Sequence, residues 1–473
     1  MTQRVFTPDD QAAFARLSGD YNPLHLDPEH ARRLLFGRQV VHGLHALLWS
    51  LDEQLQVQTQ PLELRLVKAN FQAGIGVGQT VCCRVSPAAE YRLALQLEAA
   101  GTPAVWTEIS WEPATRRRAE RLSKNCPDEP GSCRERSLEE VVSAAGSMAL
   151  CFDEDLAGRL FPNLTRVLPA MQLAVLLATT RLVGMECPGY HSIYSSLKLA
   201  FYPERAGAGN LNYRVADCNR RLALATMEVR APGAQGEIKA FLRPSPQAQA
   251  SFAEVCRQVE AGEFSAQRAL IVGGSRGLGE VAAKLLAAGG ADVILTYHRG
   301  QKDARRVVAE IASHGGQADS LPLDVLAPSP GLAGRISPCA LPLYLYYFAT
   351  PYIFGAAKGR FSPQRFAAFC EFYITGFLRT IQSLAGSPGG LQKVFYPSSA
   401  AIEDLPLDMG EYAAAKMAGE ILCDFLQKAH PGLTVHKPRL PRIATDQTVS
   451  LLPVSSREAV PVLLRNLRYL RQM

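Results

Sequence analysis

At 473 residues and a usual domain size of about 150, the chain has room for roughly three domains. Its 47% hydrophobic and 20% charged residues can build sizeable cores, and 37 Gly and 31 Pro exclude collagen-like or linker-like sequence. The net charge of +6 is scattered, apart from Arg116, Arg117 and Arg118, which excludes the concentrated, aromatic-interleaved basic patch of a nucleic-acid binder.

The chain opens MTQRVFTPDDQAAF, with no basic start followed by an apolar run, so no secretory signal is read and a cytoplasmic location is expected. A helix is predicted from about Asp9 to Leu17. It stops before Ser18-Gly-Asp-Tyr-Asn-Pro-Leu-His25, because proline pushes Asn22 out of the helical region. Asp20 and His25 therefore flank a bend, where a carboxylate and an imidazole can converge on one water as an acid–base pair. A helix cap and a surface histidine would satisfy the same residues. Val41-His42-Gly43 then leads into the apolar helix around His45–Leu51, whose free N-terminal N–H groups suit an enolate-like oxygen. Four alternating strands follow, LELRLVKANF, TVCCRVS, YRLALQLEAA and AVWTEISWE, which closes a first segment of 1–115.

The string SGDYNPLHLDPEHA with LFGRQVVHGLHAL resembles the MaoC-like (R)-specific enoyl-CoA hydratase family, over most of residues 5–112. The resemblance implies a hotdog fold, with Asp20 and His25 carrying hydration or dehydration and the Gly43 backbone serving as oxyanion donor.

Glu112–Arg136 is charged and aperiodic and reads as an exposed linker. The second segment, 135–248, repeats the pattern: the apolar helix AMQLAVLLATTRLVGM, then SIYSSLKLAFYP, LNYRVADCN, LALATMEVRAP and GEIKAFLRP. One helix with a run of antiparallel strands implies a sheet curled around it. D-x-N-P-x-H is missing, so this segment resembles the non-catalytic half of a double hotdog. PGYHSIYSSLKLAF is read as a core strand, with an acyl-tunnel lining as the alternative, and His191 is given no role.

The third segment, 267–473, alternates strand and helix, which predicts a Rossmann-like, doubly wound parallel α/β sheet after the two α+β hotdogs. In ALIVGGSRGLGEVAAKLL, the turn Gly273-Gly-Ser275-Arg276-Gly277-Leu278-Gly279 allows backbone approach to a pyrophosphate at a helix N-terminus. The next strand ends Tyr297-His298-Arg299 where an NAD site usually carries an acid. Together with Arg276, these cations favour the 2′-phosphate of NADPH, the alternative being plain exposed charge. Tyr412 and Lys416 lie four apart on one helix, where a nearby ammonium lowers a phenol's pKa, and Ser399 lies close enough to share a carbonyl. With the glycine turn, these residues resemble the short-chain dehydrogenase/reductase family.

That resemblance implies that Ser399 orients the substrate carbonyl, Tyr412 donates the proton, and Lys416 tunes Tyr412 and holds the ribose. It matches Asp324-Val325 to the adenine pair and Thr445 to the nicotinamide contact. The sequence departs from the family at Val272, at Tyr347-Phe348-Ala349-Thr350, where Ala349 keeps its cofactor-side position, at Tyr373 in place of a relay asparagine, and at Leu440-Pro441. Few residues follow Thr445 to build a lid.

No run of 18 apolar residues occurs, so no membrane-spanning helix is expected. The 11 cysteines form no C-x-x-C pair and read as buried small hydrophobes, with no metal site expected. Two sites on one chain imply consecutive steps on an acyl thioester, carried by coenzyme A or an acyl carrier protein. The expected order is NADPH-dependent reduction of a 3-oxoacyl group, then dehydration of the (R)-3-hydroxyacyl product, in fatty-acid-like or polyketide-like synthesis. The alternatives are degradation in the reverse direction, or a hydratase carrying an inert Rossmann docking module. A homo-oligomer is expected from both resemblances.

Overall fold

The computed structural model describes residues 2–114, 122–124, 132–203, 209–328, 331–336, 341–355, 358–384, 390–451 and 454–473. Arg116, Arg117, Arg118, Cys126, Cys339 and most of the expected linker lie outside these residues. The chain divides into two compact units, Met1–Ser245 with Ser450–Leu452, and Pro246–Val449 with Pro453–Met473.

The first unit is built on one ten-stranded sheet. Its first half comprises β1 (Thr2–Val5), β2 (Leu62–Phe71), β3 (Thr80–Ala89), β4 (Arg92–Ala99) and β5 (Thr102–Pro113). The second comprises β6 (Ala145–Ala149), β7 (Ser192–Phe201), β8 (Asn210–Asn219), β9 (Leu224–Ala231) and β10 (Ala234–Leu242). The order β1-β3-β4-β5-β2-β7-β10-β9-β8-β6 reads as one half followed by its mirror, with β2 and β7 joined antiparallel at the middle, Leu66 opposite Ala200. The eight strands expected from alternation are present. The edge strands β1 and β6 are additions: each is short, and β6 shows little buried apolar alternation for a period to reveal.

Each half wraps its own apolar helix. Gly43–Gln54 buries Leu44, Leu47, Leu48 and Leu51, and Ala170–Arg181 buries Leu173 through Arg181. Each such aliphatic side chain contributes about 1.5–3 kcal/mol when withdrawn from water. The halves are also pinned by Asp52 on the first helix, whose Oδ1 accepts from the backbone N–H of Asn163 and Leu164, both at 2.8 Å, at the start of helix Pro162–Val167. A helix curled in a sheet, twice over, is a double hotdog.

The second unit carries a six-stranded parallel sheet of β11 (Arg268–Val272), β12 (Asp292–Tyr297), β13 (Ala318–Pro322), β14 (Leu343–Tyr347), β15 (Leu391–Phe395) and a last strand, Thr434–His436. Its order, β13-β12-β11-β14-β15 and then the last strand, reverses direction at β11, which makes it a Rossmann-like doubly wound sheet with its crevice beside the end of β11. Separate apolar cores lie on its two faces. Among the described residues no helix is long and apolar enough to cross a membrane.

The cysteines follow the composition only in part. Cys83, Cys187 and Cys423 are buried thiols, whereas Cys256 is exposed and Cys151 is disulfide-bonded.

Candidate functional site

In the first unit the D-x-N-P-x-H segment is shaped by successive local rules. Thr7 and Asp10 form a capping box that starts helix Pro8–Ser18, and Gly19 ends it at φ +76°, a left-handed position that suits glycine. Asn22 then accepts from the Leu24 N–H at 3.0 Å and starts the short helix Pro23–Leu26, which carries His25. Asp20 and His25 thus stand on either side of the bend. One nitrogen or oxygen atom from each of Asp20, His25 and His42 lies within 4.8 Å of the others, so a single water can touch both the carboxylate and the imidazole. Both line a cavity of about 180 Å³.

Burial holds the His25 pKa below 6.5, with the Asp20 carboxylate opposing, so the ring is neutral at pH 7. Its Nδ1 lies 2.9 Å from the Val40 carbonyl, which fixes the proton there and leaves a lone pair on Nε2. His42 stacks on His25 with ring centroids 3.8 Å apart. Its own nitrogens face two oxygens, Oε1 of Gln11 at 2.9 Å and the Asp20 carbonyl at 3.0 Å. Burial pushes its pKa well down, so it donates to one of them. His42 is thus held between two oxygens, and Asp20 and His25 are the pair that faces the cavity.

Gly43 is the first residue of its helix, no side chain caps that end, and its N–H has no hydrogen-bond acceptor among the described residues. It lines the same cavity, and a Cβ there would come within 2.6 Å of the Phe71 ring. An N–H at a helix start that no described residue accepts, beside a carboxylate and a neutral imidazole, can steady charge growing on a carbonyl oxygen.

The second half contributes more than the sequence suggested. Thr180 donates from Oγ1 to Oδ2 of Asp20 at 2.7 Å, and Asn22 donates from Nδ2 to the Gly184 carbonyl at 3.0 Å. Ser192, Ile193 and Tyr194 line the cavity, so the strand read first as plain core also faces the site. His191 stays outside it, 2.8 Å from Glu135. The only hint of Thr180 in the sequence is a pair of hydroxyls inside an otherwise apolar helix.

In the second unit Gly273 and Gly277 take φ of +81° and +57°, and a Cβ on Gly279 would stand 2.2 Å from the Gly273 carbonyl. The glycines are therefore needed by the turn itself. The N–H groups of Gly273 and Gly274 donate to the Thr296 hydroxyl and carbonyl at 3.2 and 3.0 Å, and helix Gly277–Ala288 starts without a side-chain cap, so the helix start at Gly277, Leu278 and Gly279, after Ser275, is the part of the turn that suits a pyrophosphate. Ala349 abuts Gly273, its N 3.0 Å from where a Cβ would be. Asp324 comes to 3.7 Å from His298, and the Val325 carbonyl accepts from Arg379 at 3.0 Å. Thr445 is buried, and its N–H donates to Thr448 at 2.8 Å. Arg276 does not stand free for a 2′-phosphate, because it donates to Asp446 at 2.7 Å, which leaves His298 and Arg299 as the cations on that side.

Ser399, Tyr412 and Lys416 come together on one side of the sheet. The Ser399 hydroxyl accepts from the Ala401 N–H at 3.2 Å and lies near enough to Tyr412 to oppose the shift, but burial raises the phenol's pKa above 10. The expected lowering by Lys416 is not seen. Lys416 donates to the Pro397 carbonyl at 2.8 Å, its Nζ lies 6.0 Å from the Tyr412 ring centre, and burial brings its pKa down to about 7. Tyr373 stands where the relay asparagine was looked for. It is fully buried, hydrogen-bonds Thr350, and puts its ring 3.9 Å from the Lys416 ammonium. The rings of Tyr373 and Tyr396 wall in the lysine and desolvate it.

Residues 2–90 match the family model for a MaoC like domain and residues 267–329 that for a short chain dehydrogenase. The chain thus carries a MaoC-like stretch followed by a stretch similar to short chain dehydrogenases. The chain is similar to the peroxisomal multifunctional enzyme type 2 of Drosophila melanogaster, 39% identical over 82 residues, or 17% of this chain and 14% of that protein. It is also similar to the mitochondrial 3-hydroxyacyl-[acyl-carrier-protein] dehydratase of Arabidopsis thaliana, 51% identical over 78 residues, 16% and 39% of the two chains. A further match is the 3-oxoacyl-[acyl-carrier-protein] reductase of Synechocystis, 43% identical over 62 residues, 13% and 25% of the two. In each case the aligned stretch spans well under half of the curated relative's length.

Proposed function

We propose that the chain is a bifunctional enzyme acting on acyl thioesters, a hydro-lyase in its MaoC-like unit and an oxidoreductase in its short-chain dehydrogenase unit. The observation that carries the reading is the convergence on one cavity of Asp20, the neutral Nε2 of His25 and the Gly43 N–H, which no described residue accepts. Asp20 and His25 hold one water between them. In hydration they take a proton from it as its oxygen attacks C3 of the enoyl thioester, and a proton is returned at C2. The Gly43 N–H bears the charge that grows on the thioester oxygen, and dehydration of the (R)-3-hydroxyacyl group is the same path reversed.

In the second unit the bound cofactor supplies the hydride. Ser399 and Tyr412 hydrogen-bond the 3-oxo oxygen, Tyr412 gives it a proton, and Lys416 faces the ribose. The glycine turn from Gly273 to Gly279 takes the pyrophosphate, Asp324 and Val325 the adenine, and Ala349 and Thr445 the nicotinamide side. His298 and Arg299 favour NADPH, and NADPH favours the synthetic direction, 3-oxoacyl to 3-hydroxyacyl to enoyl. The mitochondrial dehydratase and the reductase of the comparisons are named for acyl-carrier-protein substrates, which supports a carrier-protein thioester beside coenzyme A. The ion pair between Arg276 and Asp446 keeps a second reading in view, NAD-dependent oxidation in the degradative direction. Segments 1–115, 135–248 and 267–473 remain the proposed catalytic hotdog, silent hotdog and reductase.

The test supplies trans-2-enoyl thioesters without cofactor and 3-oxoacyl thioesters with NADPH or NADH, on coenzyme A and on carrier protein. Hydration in the first and NADPH-favoured reduction in the second support the reading. Hydration with no reduction leaves only the MaoC-like half of it standing.

A further inference from the structure

We infer that Thr180, supplied by the half of the sheet that lacks the acid–base pair, is a positioning residue for the water-handling carboxylate of Asp20. The inference rests on the hydratase reading above and extends it to a residue on the other half.

Asp20 needs a carboxylate held in one direction if it is to share a proton with a water. Its side chain is 1% exposed, so neither oxygen can rely on bulk water to fix its direction. Oδ1 accepts from the Asn22 N–H at 3.2 Å, a contact within the bend itself. Oδ2 accepts from the Thr180 hydroxyl at 2.7 Å, a short charge-assisted bond that comes from a residue 160 positions away. A hydroxyl on a helix ordinarily turns back to a carbonyl three or four residues earlier. Its neighbour Thr179 does so, donating to the Leu176 carbonyl at 2.6 Å. Thr180 is 4% exposed and spends its hydroxyl on Asp20 instead.

The elements after Thr180 act on the same three residues. The helix runs on into the wider turn Leu182–Glu186, where Gly184 leaves room for the carboxylate: a Cβ there would stand 2.0 Å from Oδ1 of Asp20. The carbonyls of Gly184 and Gly189 both accept from Asn22, at 3.0 and 3.3 Å, and Met185 sulfur accepts from the Tyr21 N–H at 3.2 Å. Residues 20 to 22 are therefore held from the second half, and Thr180 reaches the carboxylate itself by hydrogen bond. This gives the second hotdog a reason to be fused: it carries no acid or base, and it fixes the one its partner carries.

The test compares Thr180→Val, which keeps the shape and loses the hydroxyl, with Thr180→Ser, which keeps the hydroxyl, on enoyl thioester hydration by the full chain. The valine variant is expected to lose about 10- to 100-fold in kcat with KM changed less than about threefold, and the serine variant to recover most of it. The thermal unfolding transition of the hotdog unit reports that both variants are folded, and reduction of 3-oxoacyl thioesters by the other unit is the control that should not change. If the valine variant fails to fold, the double variant decides: in an Asp20→Asn background, Thr180→Ala should cost nothing further, because the bond it removes has already lost its charged acceptor. A valine variant with unchanged kcat, a serine variant no better than valine, or a full additional loss in the Asp20→Asn background would each overturn the inference. Hydration that survives Asp20→Asn alone would instead sink the hydratase reading on which it stands.

Discussion

Replacing Gly184 by alanine is the sharpest perturbation of the proposed hydratase site, because it adds one carbon on the half of the sheet that holds no acid or base. That carbon would lie 2.0 Å from Oδ1, 2.5 Å from Cγ and 2.7 Å from Oδ2 of Asp20, where ordinary contact begins near 3.4 Å. Relief requires the carboxylate or the turn Leu182–Glu186 to retreat by more than an ångström. The carboxylate is enclosed, and the turn is tied to Asn22 through the Gly184 carbonyl. A displacement of about 1 Å in reacting groups costs on the order of 100-fold in rate. Overpacking a core by one methyl costs typically 1–3 kcal/mol of stability, which lowers Tm without unfolding a domain of this size. The assay is steady-state hydration of a trans-2-enoyl thioester beside NADPH-dependent reduction of a 3-oxoacyl thioester on the same preparation. Hydration should fall about 100-fold with reduction intact. Hydration within threefold of the parent, with the variant folded, would refute the reasoning that Asp20 works from the position described.

Further substitutions separate the two sites and the charges around them. Asp20→Asn or His25→Ala should lower hydration by about 10²- to 10⁴-fold while NADPH oxidation persists, read from the same two assays. Tyr412→Phe should abolish ketone-dependent NADPH oxidation and spare hydration; any residual reduction above a few per cent would exclude Tyr412 as the donor. Arg299→Ala should raise KM for NADPH about tenfold and leave NADH nearly unchanged, whereas Arg276→Ala, whose guanidinium is already held by Asp446, should discriminate less between them. Burial holds His45 at a pKa of about 3 against 6.5 unfolded, so below pH 6.5 the unfolded chain binds a proton that the folded one refuses, and stability falls with pH. Between pH 6.5 and 5 this amounts to about 1.7 kcal/mol. Denaturant titrations at the two pH values should therefore show a smaller stability loss for His45→Leu than for the parent, and equal losses would refute the assignment.

What could be read in the sequence was whatever lies on one short stretch or repeats with a period. Strand alternation revealed the eight long strands, and glycine spacing together with strand–helix alternation revealed the parallel sheet. Asp20, His25 and Gly43 were legible because a proline, a helix end and a helix start sit within a few residues of them. Thr180 and Gly184 were not, because their function lies in contacts that exist only once two distant segments share a sheet. Charge was the least legible property. Arg276 looked available and is paired with Asp446, and Lys416 looked like a simple ammonium beside Tyr412 but is walled in by Tyr373 and Tyr396 and desolvated. The replacement at Tyr373 was visible as a departure, but its consequence for Lys416 depends on ring placement in space.

The two chemistries meet in one tube. Full-length protein, a 3-oxoacyl thioester and NADPH, followed by mass spectrometry over time, should show the substrate gain two hydrogens and then lose one water to the enoyl thioester. Only the second change should vanish with Asp20→Asn, and both with Tyr412→Phe. An unaltered 3-oxoacyl thioester in the presence of folded protein, or a 3-hydroxyacyl product that never loses water on either carrier, would contradict the proposed sequence of steps.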